Sequence, residues 1–329
     1  MAALAKKCTY FVVQIRHMKV LITGAAGFIG SHTAERFASL GHEVRAIDNF
    51  SDYYPLELKQ LNAAALNQRG VEVTKVDLRE DKLEAIVADC DMIVHFAAQP
   101  GISASSSFED YLTNNVIGTQ RMLTAIEPLE RKPFFVNIAT SSIYGLHATM
   151  TEDQAPLPAS WYGVTKLAAE QLVLAYTRRG LLNGCSLRLY SVYGPRERPD
   201  KLYTRLIAAG LKDEQFPLYE GSEKHLRSFT YVGDIVDGIV SIIGREDVCN
   251  GQIFNLGTEE ENTTATGIAV VEELLGKQIQ KEIQPPRPGD QARTCANIDK
   301  ARRLLDYNPT TTLHQGLQHQ IDWYRENFC

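Results

Sequence analysis

The chain has 329 residues, 44% of them hydrophobic and 22% charged, with a formal net charge of −6. It is long enough to bury a substantial core, with the composition of an ordinary soluble globular protein. The acidic balance argues against a general nucleic-acid surface, and no apolar run approaches the ~20 residues of a membrane-spanning helix.

Residues 1–17 hold one short apolar stretch, Tyr10-Phe11-Val12-Val13, cut off by Gln14 and Arg16. It is too short for the apolar core of a secretion signal, so these residues read as a leader outside the fold. Lys19–Thr23 then reads as a buried strand. A helix follows from Phe28 to Leu40, ending at Gly41. Further strands are expected at Glu43–Ile47, Val71–Val76, Asp91–Ala97, Pro133–Ala139 and Cys185–Tyr190, with helices at Tyr111–Glu127 and Trp161–Arg179. Repeated strand–helix–strand units imply an α/β fold, a doubly wound parallel sheet of Rossmann type over residues 18–194. After Gly194 the pattern changes. Helices dominate to Arg245, Ile253–Leu256 reads as an isolated strand, and Pro285-Pro286-Arg287-Pro288 is a loop. Residues 195–329 are therefore expected to form mainly a smaller mixed α/β substrate domain, with the chain returning to the first domain around 228–257. The six cysteines (Cys8, Cys90, Cys185, Cys249, Cys295, Cys329) show neither C-x-x-C nor metal-ligand spacing. The expectation is a reduced, cytoplasmic protein with no metal site.

The first strand runs into Gly24-Ala25-Ala26-Gly27-Phe28-Ile29-Gly30, which opens the first helix. In that context the glycines suit a pyrophosphate at the helix N-terminus, and Asp48 after the second strand suits an adenosine ribose. A carboxylate there would repel a 2′-phosphate, which favours NAD over NADP. Asp77 could receive the adenine amine or simply form a turn. Tyr162 and Lys166, four apart, share one helix face, and Thr140 lies at the end of a strand upstream. Alone, a Tyr–Lys pair at this spacing is more often a solvated surface pair.

Gly-x-x-Gly-x-x-Gly, His95-Phe96-Ala97-Ala98-Gln99, Asn115-Val116-Ile117-Gly118-Thr119 and Tyr162-x-x-x-Lys166 together resemble the extended short-chain dehydrogenase/reductases. This is the NAD-dependent sugar-nucleotide epimerase and dehydratase group, and the resemblance covers residues 18–325. It implies that Tyr162 is the catalytic base, Lys166 its activator and Thr140 a hydrogen-bonding partner of the reacting oxygen. It also implies NAD contacts from Gly24, Gly27, Phe28, Ile29, Gly30, Asp48, Asn49, Asp77, Leu78, Ala97, Ala98, Gln99, Asn115, Tyr162, Lys166, Tyr190 and Val192. Family dehydratases carry Asp-Glu after the catalytic Thr. Ser141 and Ser142 stand here, so elimination of water is not expected.

Within that group, Ser191-Val192-Tyr193-Gly194-Pro195-Arg196-Glu197-Arg198-Pro199-Asp200 is similar to the UDP-glucuronate 4-epimerases. The resemblance implies that Arg198, with Ser141, Ser142 and Ser191, holds the sugar carboxylate, while Arg227, Arg287 and Asp290 hold the UDP. The sequence departs from the subfamily at Ser191, at Arg196-Glu197 (usually Trp-Gly) and at Ser103 (usually Arg). Arg198 could instead pair with Glu197 or Asp200 on a solvated loop. Other expectations are a UDP-sugar substrate and a homodimer built on the helices 111–127 and 161–179. A 4-epimerase for UDP-glucose or UDP-N-acetylglucosamine is the alternative activity. A UDP-sugar dehydratase or decarboxylase, or a non-catalytic relative, ranks below it.

Overall fold

Seven parallel strands form the central sheet: β1 Lys19–Thr23, β2 Glu43–Asp48, β3 Val73–Lys75, β4 Met92–His95, β5 Phe134–Thr140, β6 Asn183–Leu189 and β7 Ile253–Leu256. Their order is β7-β6-β5-β4-β1-β2-β3, and every neighbouring pair is parallel. Central strands are apolar throughout, as a sheet covered on both faces demands; Val20, Leu21 and Ile22 are fully buried. The structure, a computed structural model, describes residues 17–103, 105–286 and 293–329. The expected leader therefore lies almost wholly outside the described residues.

The strand order reverses between β1 and β4, and ligand sites in such sheets open at that point, beyond the carboxyl ends of the strands. The helix after β1, Phe28–Ser39, ends as its sequence requires. Gly41 takes φ +82, its N–H donates to Ala38 O, and that of His42 donates to Phe37 O.

Two expectations need correction. Ile253–Leu256 is not isolated, since it pairs with β6 as the sheet's edge strand. The helix expected over 111–127 is broken by a wider π-type turn, Leu112–Ile117, between Phe108–Tyr111 and Gly118–Ile126. After Gly194 helices Leu202–Lys212 and Val232–Val240 make up most of the regular structure to Arg245, as expected, but short strands Phe216–Tyr219, Leu226–Arg227 and Thr230–Tyr231 lie between them. Two- and four-residue strands leave too little periodic signal to read.

Beyond the sheet, helices Leu202–Lys212, Thr264–Leu275 and Leu313–Phe328 share a separate apolar core that includes Tyr203, Leu206, Val271 and Leu317. Among the described residues no helix is long and apolar enough to cross a membrane.

Candidate functional site

A cleft of about 520 Å³ runs along the carboxyl ends of the strands and between the sheet and the C-terminal helices. One end is shaped by backbone. Gly24 has φ +69, and a Cβ on it would lie 2.9 Å from Ala97 N. A Cβ on Gly30 would sit 2.3 Å from Gly24 O, so only glycine allows helix Phe28–Ser39 to start this close to the turn. Gly27 caps that helix without a side chain, leaving its first amides for a ligand. Asp48 is buried at the end of β2. It accepts from Ala26 N at 3.1 Å and Phe50 N at 2.8 Å, with Lys59 Nζ 3.7 Å away. This turn, free of obstructing side chains and flanked by a fixed carboxylate, fits a dinucleotide.

Asp77 lines the same end, but as a turn residue. Arg79 grips it through Nε at 2.9 Å and Nη2 at 2.6 Å, and Asn49 Nδ2 donates at 3.2 Å. These bonds hold its carboxyl well below the usual carboxylate range.

Tyr162, Lys166 and Thr140 meet at the middle of the cleft. Ser160 accepts from Gly163 N at 3.1 Å and so starts helix Trp161–Arg178. A Cβ on Gly163 would lie 2.6 Å from Ser142 O, so glycine lets the helix press on the turn after β5 and bring Tyr162 to Thr140. Burial raises the Tyr162 phenol. The Thr140 hydroxyl, the Arg198 guanidinium and the Gly101 backbone oppose that rise. Lys166 is buried, which lowers its ammonium to about 8, while Glu170 one turn on counteracts. Glu170 is itself bound by Arg188 through Nε at 3.0 Å and Nη2 at 2.6 Å, and that buried pair ties the helix to β6. Behind them His95 bridges Thr23 and Thr119 at 2.8 and 3.0 Å; burial holds it neutral.

The other end is built from charge. Arg198 is buried and lines the cleft, so it is not on a solvated loop. Its guanidinium is nevertheless engaged: Nε and Nη2 donate to Asp200 at 3.0 and 2.9 Å, and Nη1 donates to Pro100 O at 2.9 Å. The Tyr53 ring lies 5.3 Å from it, and a Cβ on Gly101 would come within 3.0 Å of Nη2. Arg196 reaches back to Glu35 on the first helix at 2.8 Å. Ser141, Ser142, Ser191, Val192 and Arg227 also line the cleft, and a second cavity of about 670 Å³ shares Tyr54, Ile102 and Lys201 with it.

Of the expected cofactor contacts, Gly24, Gly27, Phe28, Ile29, Gly30, Asp48, Asn49, Asp77, Leu78, Ala97, Ala98 and Gln99 line the cleft, and Asn115 and Tyr190 do not. The π-type turn faces Asn115 inward, where it accepts from Gln99 N at 2.7 Å and donates to Thr165 Oγ1 at 3.0 Å. Asn115 thus braces the wall from behind, and neighbouring Asn114 lines the cleft. Tyr190 is fully buried against Tyr144. Arg287 and Asp290 lie outside the described residues. Sequence reasoning passed over Lys59, Arg79, Lys201 and Phe229, all of which line the cleft. For Lys59 the one available signal was a lysine inside a leucine- and alanine-rich helix.

The profile of the family described as "Epimerase: NAD dependent epimerase/dehydratase family" matches residues 20–257. UDP-glucuronate 4-epimerase 3 of Arabidopsis thaliana is 33% identical over 331 residues, covering 94% of this chain and 77% of that protein. YtcB of Bacillus subtilis, described as an uncharacterized UDP-glucose epimerase, is 34% identical over 309 residues, covering 92% of this chain and 97% of its own. Among solved structures, a Bacillus cereus UDP-glucuronic acid 4-epimerase in complex with UDP-glucuronic acid and NAD superposes with a TM-score of 0.89. It is 35% identical, covering 94% of this chain and 100% of that one. With these matches and a glycine turn that fits a dinucleotide, the chain belongs to the NAD dependent epimerase/dehydratase family.

Proposed function

We propose that the chain is a UDP-glucuronate 4-epimerase, interconverting UDP-glucuronate and UDP-galacturonate. The observation that carries this reading is the buried Arg198, held against Pro100 and Gly101 and close enough to Tyr162 to act on its phenol. Bound NAD supplies reversible oxidation at the sugar C4. Tyr162 takes the proton of the C4 hydroxyl, and Thr140 hydrogen-bonds the same oxygen. Lys166 binds the nicotinamide ribose, and its charge favours the phenolate. Asp48 takes the adenosine ribose.

Oxidation at C4 of a uronate gives a β-keto acid, which readily loses carbon dioxide. Arg198 would swap Asp200 for the substrate carboxylate, with Ser141, Ser142 and Ser191 beside it. A bidentate guanidinium keeps negative charge on the carboxylate and so opposes its flow toward the ketone. No acid or base other than Tyr162 is needed, in keeping with serine at 141 and 142. The 4-keto sugar then turns over in the cleft and is reduced on its other face. Arg227, with Arg287 and Asp290, would hold the UDP.

A second reading, a 4-epimerase for a neutral UDP-hexose, draws on the bidentate Arg198–Asp200 pair, which already fills much of the guanidinium. Incubation of NAD-loaded protein with UDP-glucuronate, UDP-glucose and UDP-N-acetylglucosamine separates the two. Conversion of UDP-glucose without conversion of UDP-glucuronate overturns the first.

A homodimer is supported by Phe108, Ile117, Trp161 and Val164, exposed apolar residues on the segments Phe108–Ile126 and Trp161–Arg178. Light scattering should give twice the chain mass. The buried free thiols of Cys90, Cys185 and Cys249 support a reducing, cytoplasmic setting.

A further inference from the structure

The loop after β6 carries a carboxyl that the proposed epimerisation leaves unused. Glu197 lines the cleft yet is only 5% exposed. Its Oε2 accepts from Thr204 Oγ1 at 3.0 Å and from Gln320 Nε2 at 2.9 Å, both neutral donors. Thr204 comes from helix Leu202–Lys212, whose Leu202 and Tyr203 line the cleft, and Gln320 from helix Leu313–Phe328 behind it, so the carboxyl is fixed by two elements of the C-terminal core.

The titratable and charged groups around it come from every side. Arg198, Asp200 and Lys201 follow it in the chain, Tyr203 faces it from the next helix and Tyr193 from the strand before it. Arg227 lines the same cleft. Burial raises Glu197 to about 7, with Asp200 acting in the same direction and the Gln320 and Thr204 hydrogen bonds and the Lys201 charge opposing it. A sugar nucleotide brings a diphosphate into this cleft, and a uronate adds a carboxylate. At low dielectric, negative charge beside an ionised Glu197 is repelled strongly. A protonated Glu197 removes that repulsion and gains an O–H to donate.

Resting on the sugar-nucleotide reading of the site, we infer that Glu197 takes up a proton when an anionic sugar nucleotide binds, and that its charge state sets the affinity for such ligands. The step is an acid–base equilibrium alone, in which one proton moves from solvent to a carboxylate oxygen. Glu197 is one of the three positions, with Ser191 and Arg196, where the stretch Ser191–Asp200 departs from the UDP-glucuronate 4-epimerase pattern, so the effect belongs to this chain. Glu197 acts as a positioning and specificity residue, apart from the proton transfer at Tyr162.

The test is calorimetric titration of the NAD-loaded full chain with UDP-glucuronate and with UDP-glucose, in two buffers of different ionisation heat. Near neutral pH the wild type should take up roughly half a proton per ligand. Its affinity should fall roughly tenfold over the two pH units centred on neutrality, because the diphosphate of a UDP-sugar does not titrate there. Glu197→Gln should lose both the uptake and the slope, and Glu197→Asp should restore them. Equal proton uptake by wild type and Glu197→Gln, or a flat wild-type profile, overturns the inference. No binding heat with either ligand overturns instead the sugar-nucleotide reading on which it rests.

Discussion

At the dinucleotide end of the cleft, contacts are set by backbone: Gly24 and Gly30 admit no Cβ, and Asp48 is held by the amides of Ala26 and Phe50. At the sugar end they are set by side-chain charge, with Arg198 on Asp200, Arg196 on Glu35, and Glu197 on Thr204 and Gln320. The first end is preformed and tolerates almost no change. The second consists of side-chain pairs, which on the proposed reading a charged ligand rearranges. Tyr162 stands between them, touched by the Thr140 turn on one side and the Arg198 charge on the other.

Substitutions at each end should separate the two. Tyr162→Phe removes the proposed base; turnover should fall by about 10²–10⁴-fold, with NAD retained in the purified protein. An active variant would refute the assignment. Gly30→Ala forces a Cβ against Gly24 O at 2.3 Å, and overpacking of this kind costs about 1–3 kcal/mol. NAD affinity should therefore drop by roughly 10–100-fold, measured by cofactor titration, and the loss should be the same whichever sugar is offered.

Arg198→Ala should act in the opposite sense. A charged hydrogen-bonded contact of about 1.5–3 kcal/mol predicts roughly a 10–100-fold loss in kcat/KM for UDP-glucuronate, with NAD affinity unchanged and carbon dioxide released during turnover. Unchanged uronate kinetics would refute the carboxylate clamp. Glu35→Gln weakens the Arg196 anchor, a half-buried pair worth about 1 kcal/mol. A rise of roughly fivefold in KM is expected, with kcat and NAD affinity steady.

The contrast also explains what could be read from the sequence. Strands β1 to β6 and helix Trp161–Arg178 announce themselves through local apolar periodicity, and the glycine turn through spacing. Thr140, Tyr162 and Lys166 were legible as a set, because their spacing repeats a known pattern. The charged end was not. Arg196 meets Glu35 across 161 residues and Glu197 meets Gln320 across 123, separations that no local pattern encodes. The π-type turn that faces Asn115 inward depends on Gln99 and Thr165, again distant in the chain. Pairing of Arg198 with Glu197 or Asp200 is the alternative the sequence offers to a carboxylate clamp, yet the burial of Arg198 follows from Pro100, Gly101 and Tyr53 closing over it.

Transient oxidation at C4 with the carboxylate kept is tested most directly by supplying NAD-loaded protein with UDP-glucuronate deuterated at C4 and following the products by NMR. UDP-galacturonate should carry the deuterium still at C4, with no label lost to water and no decarboxylated sugar. Label lost to solvent, a pentose product or unconverted substrate would contradict it.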